Sequence, residues 1–457
     1  MEPMRPIDQL MIFFQTDNSP MNIGGLLLLD TPEAEKAGFE QRIRAHLEPR
    51  ALRTVIGRRL IESPEHYDSD TWFQINAGEI KRRIFTPKFP APLSYREMLD
   101  YVTGRSMQKL ELDSAPFEVY ILDNLEGPRC AIYLKVHHCV MDGIGFQSLI
   151  QQLSDQGGDL PEVDASADEP VPAPEVWKEL ARQRFEREGP LREASARAQA
   201  EAQQQLGRFI AESGHQRGTA PLMAFGAEIT RQRTYNTVSF SFNAFRATAK
   251  GLGATINDVF LATASGALRS YLLARGQLPE AALIGHCVSS TRRPEEHGLF
   301  GNRVVSIYPE LATEEADAGV RLARIRAAMN LEKQRARIEE PLQDMPETPY
   351  GARDRRIAFA DPSILGAALG SANVVLSNVT GPEEALSFAG FRMAGNYPVP
   401  IVGPDRFLNI TSRRNADRLD MGVMVDAAKI TEAGEFVEML KAEFARLEAA
   451  AGVEAAA

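Results

Sequence analysis

One stretch, RCAIYLKVHHCVMDGIGFQSLIQQLS, constrains the fold more than any other part of this 457-residue chain. Its first half reads as a strand. Cys130, Ile132, Leu134, Val136 and His138 fall on one face, and Ala131, Tyr133, Lys135 and His137 on the other. Asp142-Gly143 then opens GFQSLIQQLS, which reads as a helix with Asp142 in a capping position. A strand joined so tightly to a helix belongs in a layered fold of sheet and helix.

The chain has only seven histidines, and two of them stand side by side at this junction. Neighbours on a strand point to opposite sides, so at most one of the pair enters a given cavity. That argues against a chelating pair, which prefers a spacing such as i, i+4 on a helix. A histidine at a strand end facing a cleft suits general-base work, because its pKa lies near neutral. Such a base contributes roughly 10²–10⁴-fold. The other histidine and Asp142 would fix the turn and the imidazole, and Gly143 would let the backbone bend into the helix.

The length suits two domains of about 200 residues each. NIGGLLLLD, FEVYILDNL and CAIYLKV read as strands in the first half. Residues 156–175, rich in Gly, Pro, Asp and Ala, read as a linker or exposed crossover, and 176–212 as helix broken at Gly189-Pro190. In the second half RTYNTVSFSF, AALIGHCVSS, NRVVSIYPEL, SANVVLSNV and RLDMGVMVD read as strands. TINDVFLATASGALRSYLLARG reads as a long helix with Thr255 as N-cap, Asp258 in a capping box and Gly276 at its end. Neither half alternates strand and helix regularly, so the expected class is α/β (α+β) with mixed sheets. The expected division is 1–175, a helical connector at 176–219, and 220–457.

The net charge is −11, from 51 Lys and Arg against 62 Asp and Glu, so no general nucleic-acid binder is indicated. Cys130, Cys139 and Cys287 are widely spaced, with no disulfide framework or zinc spacing, which fits a reducing cytoplasm. The N-terminal apolar run is too short for a secretory signal, and no apolar run reaches the ~18 residues of a membrane span.

The string from His137 to Gly143 resembles the HHxxxDG signature of the CoA-dependent acyltransferase superfamily. The remaining motifs are most similar to one of its families, the bacterial wax ester synthase/diacylglycerol acyltransferases. MRPIDQLMIFFQTDNSPMNIGGLLLLD is similar to that family's opening, and TINDVFLATASGALRSYLL to its Asn-Asp helix. FGNRVVSIYPEL, NVVLSNVTGP and NYPVPIVGPDRFLNITSRRNADRLDMGVMVD follow in the family's order, so the likeness covers nearly the whole chain. Ala115-Pro116-Phe117 stands where the family usually has Pro-Leu-Trp.

The resemblance implies a chloramphenicol acetyltransferase-like fold of two domains with a tunnel between them. It implies transfer of a fatty acyl group from acyl-CoA, as co-substrate, to a long-chain alcohol or a diacylglycerol, with no bound cofactor and no metal. His138 would be the general base, with no acyl-enzyme, so Cys139 need not be a nucleophile. His137, Asp142 and Gly143 would shape the site, and Arg292 or Arg293 would pair with Asp142. Asn257 would donate to the developing oxyanion, and Ser377-Asn378 would line the tunnel. Peripheral association with a membrane or lipid droplet follows from the substrates; LMIFF and the helices around 177–210 are the candidate surfaces. The rival readings are a carrier-dependent condensation-type acyltransferase and an inactive lipid-binding homologue.

Overall fold

The computed structural model describes residues 2–66, 68–226, 228–293, 296, 301–343, 351–359, 361, 371–403 and 406–453. The first half contains helix α1 (Pro6–Phe13), strands β1 (Asn22–Asp30), β2 (Ile84–Phe85), β3 (Phe117–Leu122) and β4 (Arg129–His137), and helix α2 (Gly143–Leu153). Connector helices α3 (Pro174–Arg187) and α4 (Gly189–Ser213) follow, broken where the Gly-Pro pair predicts. The second half contains β5 (Arg233–Ser241), α5 (Ile256–Ala274), β6 (Gly285–Ser290), β7 (Val304–Ile307), α6 (Ala318–Gln343) and β8 (Val374–Val379). It ends with β9 (Ser387–Phe388), β10 (Phe391–Val399), β11 (Leu408–Asn415), β12 (Arg418–Asp426) and α7 (Ala433–Ala450).

Two six-stranded sheets carry the fold, in the orders β9-β10-β1-β4-β3-β2 and β7-β6-β8-β11-β12-β5. Both are mixed, as the irregular alternation predicts. β2 pairs parallel with β3, and β8 pairs parallel with both β6 and β11, while the other pairings are antiparallel. A cut near residue 220 does not separate these sheets. The segment Ser387–Val399 leaves the second half and pairs with β1, setting Val399 opposite Gly24. An exposed edge of β1 would leave a row of backbone groups unpaired; β10 supplies their partners.

The alternation read from β4 is the one observed. Ile132, Leu134 and Val136 pack with Phe146, Leu149 and Ile150 of α2 in one core. Ala131 and Tyr133 join Leu26, Leu28, Tyr397 and Val399 on the opposite face. Lys135 is buried on that second side and pairs with Glu118 at 2.5 Å. In the second half α5 lies on the far face of its sheet, packed with Val374, Leu376, Leu408 and Ile410. Its N-terminus is a full capping box: Asp258 N–H donates to Thr255 Oγ1 at 3.2 Å, and Thr255 N–H to Asp258 Oδ2 at 2.9 Å.

Candidate active site

A cavity of about 540 Å³ lies between the two sheets. The alternation that sends Val374 and Leu376 to the core sends Val375, Ser377 and Val379 of β8 into this cavity, with Asn409, Thr411 and Arg413 of β11 beside them. β6 and β7 add His286, Val288, Val304 and Ser306, and β10 adds Pro398 and Val399. Leu10, Met11 and Phe14 close it from the N-terminal side. Most of LMIFF therefore forms a wall of the cavity, where a membrane-facing patch was one expectation.

β4 ends at His137, and the two histidines diverge there. His137 is fully buried. Its Nδ1 accepts the Cys139 N–H at 3.1 Å, which leaves the proton on Nε2 to be donated to Gln15 Oε1 at 2.9 Å. Burial, helped by the neighbouring His138, pushes its pKa down to about 3, so the ring stays neutral and fixes the turn. His138 lines the cavity. Its N–H donates to the Met21 carbonyl and its carbonyl accepts from Asn302 Nδ2, both at 2.8 Å. Burial pushes its imidazole below the usual range, opposed by backbone carbonyls and the Asp142 charge. Nδ1 is sealed in protein without a hydrogen bond of ordinary geometry.

Asp142 caps α2, its Oδ1 accepting the Gly145 N–H at 2.8 Å. Arg292 Nη2 lies 3.2 Å from Oδ1 and 3.1 Å from Oδ2, and the Arg303 N–H reaches Oδ2 at 2.9 Å. Of the two arginines left open by the sequence, the one that meets Asp142 is Arg292; the Arg293 side chain is exposed.

Residues 4–260 match the wax ester synthase/diacylglycerol acyltransferase catalytic domain, and residues 300–448 match the WS/DGAT C-terminal domain. The chain belongs to this family.

Relatives of this WS/DGAT chain include a probable diacylglycerol O-acyltransferase of Mycobacterium tuberculosis, 27% identical over 99% of this chain and 100% of the relative. The O-acyltransferase WSD of Acinetobacter baylyi is 27% identical over 93% of this chain and 92% of its own length. Among solved structures, the wax ester synthase/diacylglycerol acyltransferase of Marinobacter aquaeolei superposes with a TM-score of 0.68 at 23% identity, covering 99% of this chain and 100% of that one. The first condensation domain of the calcium-dependent antibiotic synthetase gives 0.61 at 14% identity, covering 100% and 97%. At these identities the two likenesses show the fold alone.

Within this WS/DGAT fold, His138, Asp142 and Gly143 line the cavity, and His137 braces it from beneath. Gly143 does not adopt a left-handed backbone. Its missing side chain serves a different need: a Cβ there would stand 3.0 Å from Val379 Cγ2, across the interface between the halves. Ser377 lines the cavity, whereas Asn378 turns away, its Oδ1 accepting from Ser412 Oγ at 2.9 Å. Asn257, expected at the oxyanion, is not among the lining residues. It lies within the capping box of α5, between Thr255 and Asp258, and the apolar face of that helix packs on residues of β8 and β11. Cys139 sits in the apolar core with its thiol pushed well up by burial, as suits packing and not attack.

Three residues of the site were not read from the sequence. Asp8 of α1 accepts the Asn302 N–H at 2.6 Å and Asn302 Nδ2 at 2.8 Å, so Asn302 joins α1 to the His138 carbonyl. Burial pushes the Asp8 carboxyl up to about 6. Arg413 is buried in the cavity wall, donates to Asn396 Oδ1 at 3.0 Å, and is pushed down to about 10 by burial. Asp8 and Asn302 both lie in blocks that carry the family likeness, RPIDQL and GNRVV, which is the signal that pointed toward them. Away from the cavity, Glu62, His66 and Asp70 gather as metal-type ligands. Arg356 already supplies positive charge there, 3.0 Å from Glu62 and 2.7 Å from Asp70.

Proposed function

We propose that this protein transfers a fatty acyl group from acyl-CoA to the hydroxyl of a long-chain alcohol or a diacylglycerol, releasing CoA. The observation that carries the reading is the position of His138 in a largely apolar cavity between the two halves of a WS/DGAT chain. With Nδ1 sealed in protein, Nε2 is the nitrogen offered to the cavity. It takes the proton from the acceptor hydroxyl as that oxygen attacks the thioester carbonyl. The tetrahedral intermediate collapses, the C–S bond breaks, and the proton passes from the imidazolium to the departing thiolate. No acyl-enzyme forms. His137 and the Asp142–Arg292 pair hold the turn that aims the base. The cavity volume of about 540 Å³ is in the range of sites for elongated organic ligands.

No helix among the described residues is long and apolar enough to cross a membrane. Association with a membrane or lipid-droplet surface is peripheral in this reading, and Val176, Leu180 and Leu191, exposed on α3 and α4, offer an apolar contact. Flotation with lipid droplets, compared for wild type and Leu191→Glu, tests that part.

The central test is release of free CoA thiol from palmitoyl-CoA with hexadecanol or a diacylglycerol, for wild type and His138→Ala. Acceptor-dependent release that falls roughly 10²–10⁴-fold in the variant supports the reading. Absence of release by wild type with either acceptor removes it.

A further inference from the structure

A second cavity, polar and about 520 Å³ in volume, lies behind the β6–β7 hairpin. His286, Val288, Val304 and Ser306 face the acyl cavity, whereas Ser289 and Val305 line the second one. β7 is the edge strand of its sheet, so a ligand in the second cavity passes only one strand to reach the first. Arg292 touches both regions: it lines the polar cavity while its guanidinium holds Asp142.

The charge around this cavity is mostly positive. Arg293, Lys333 and Arg337 line it, and among the described residues none of the three side chains makes an ion pair or a hydrogen bond. Other cations of α6 do find carboxylates: Arg324 pairs with Glu314 at 2.5 Å and Arg335 with Glu339 at 2.9 Å. Lys333 and Arg337 are four residues apart on α6 and so share a face. Among the described residues, Glu340 is the carboxylate that lines the cavity against the three cations. In a chain of net charge −11, three neighbouring cations with no ion-pair partner among the described residues mark a place for an anion. The Ser289 and Thr291 hydroxyls stand at the same wall as further donors. Guanidinium forks with an ammonium and hydroxyls are the donor set that phosphate oxygens accept.

We propose that this cavity binds the phosphate groups of CoA, with the pantetheine arm crossing the β7 edge to bring the thioester to His138. The proposal rests on the acyl-CoA reading above and names the residues that hold the donor. Anionic lipid headgroups carry the same phosphate chemistry, and the test separates the two.

Thiol release is measured with palmitoyl-CoA and with S-palmitoyl-pantetheine, which lacks the phosphates. The proteins are wild type, Arg337→Gln, and Lys333→Gln with Arg337→Gln. Neither side chain has an ion-pair or hydrogen-bond partner among the described residues, so no such contact there is lost with them. The ratio of kcat/KM for the CoA thioester to that for the pantetheine thioester is expected to fall about tenfold for each cation removed, through KM. A ratio unchanged in both variants overturns the proposal. Loss of binding to phosphatidylglycerol vesicles with an unchanged ratio also overturns it and gives the site to a lipid headgroup. Failure of wild type to release thiol from either thioester is a distinct result, because it removes the acyl-CoA reading itself.

Discussion

Arg292 sets its Nη2 3.1 Å from Asp142 Oδ2 and 2.7 Å from the Gly301 carbonyl, so a guanidinium from the second half of the chain carries the motif carboxylate of the first. Both side chains are buried, 1% and 4% exposed. The space for this contact depends on Gly145, where a Cβ would come within 3.3 Å of Arg292 Nη2 and 2.9 Å of Met141 Cβ. The pair thus ties together the two halves at the turn that presents His138.

Removing one partner of a buried pair strands the other charge, at a cost of about 3–5 kcal/mol. Arg292→Ala is expected to lose that much stability in denaturant titration, and to lose acyl transfer with it. Arg293→Ala, at an exposed side chain, should stay within about 0.5 kcal/mol of wild type. Equal losses in the two variants would contradict the pairing.

The pH dependence of transfer should follow His138. A base works when unprotonated, so activity is lost as pH falls through its pKa. Burial places that pKa below the ordinary 6.5. kcat/KM should therefore hold steady as pH falls through 6.5 and decline only below it. A decline centred above 6.5 would be inconsistent with the buried base.

Asp8 acts on stability in the opposite sense. Its carboxyl rises from an ordinary 3.8 to about 6, chiefly by burial. The folded protein holds this proton more tightly than the unfolded chain. Its contribution is full below pH 3.8 and is lost as pH rises through about 6. Asp8→Asn keeps an acceptor for Asn302 without the charge. Relative to wild type it should gain on the order of 1–3 kcal/mol between pH 4 and pH 7.5. A difference that does not change with pH would refute this.

Gly143 and Val379 meet across the interface. Gly143→Ala should cost about 1–3 kcal/mol by crowding Val379. Val379→Ala in the same chain should return part of that loss, a non-additivity that a double-mutant cycle reads directly. Strict additivity would show that the two side chains do not meet.

Asn257→Ala distinguishes family expectation from geometry. An oxyanion donor would cost roughly 10²–10³-fold in kcat. From its place on α5, outside the cavity lining, the expected change is less than about threefold, within what an indirect effect on packing produces. A loss in the larger range would return Asn257 to the site.

The sequence by itself determined what is local. The alternation of β4, the Asp142 cap of α2, the Thr255–Asp258 box and the break at Gly189-Pro190 each depend on neighbours a few residues apart, whose steric and hydrogen-bonding preferences act wherever the segment lies. The opposed faces of His137 and His138 follow from the two-residue period of a strand. The tertiary structure decided what joins distant residues. The insertion of β10 beside β1, the choice of Arg292 over Arg293, and the Asp8–Asn302–His138 chain pair groups more than a hundred residues apart. No local preference selects such partners. They are fixed by which buried polar groups must find each other once the two sheets close.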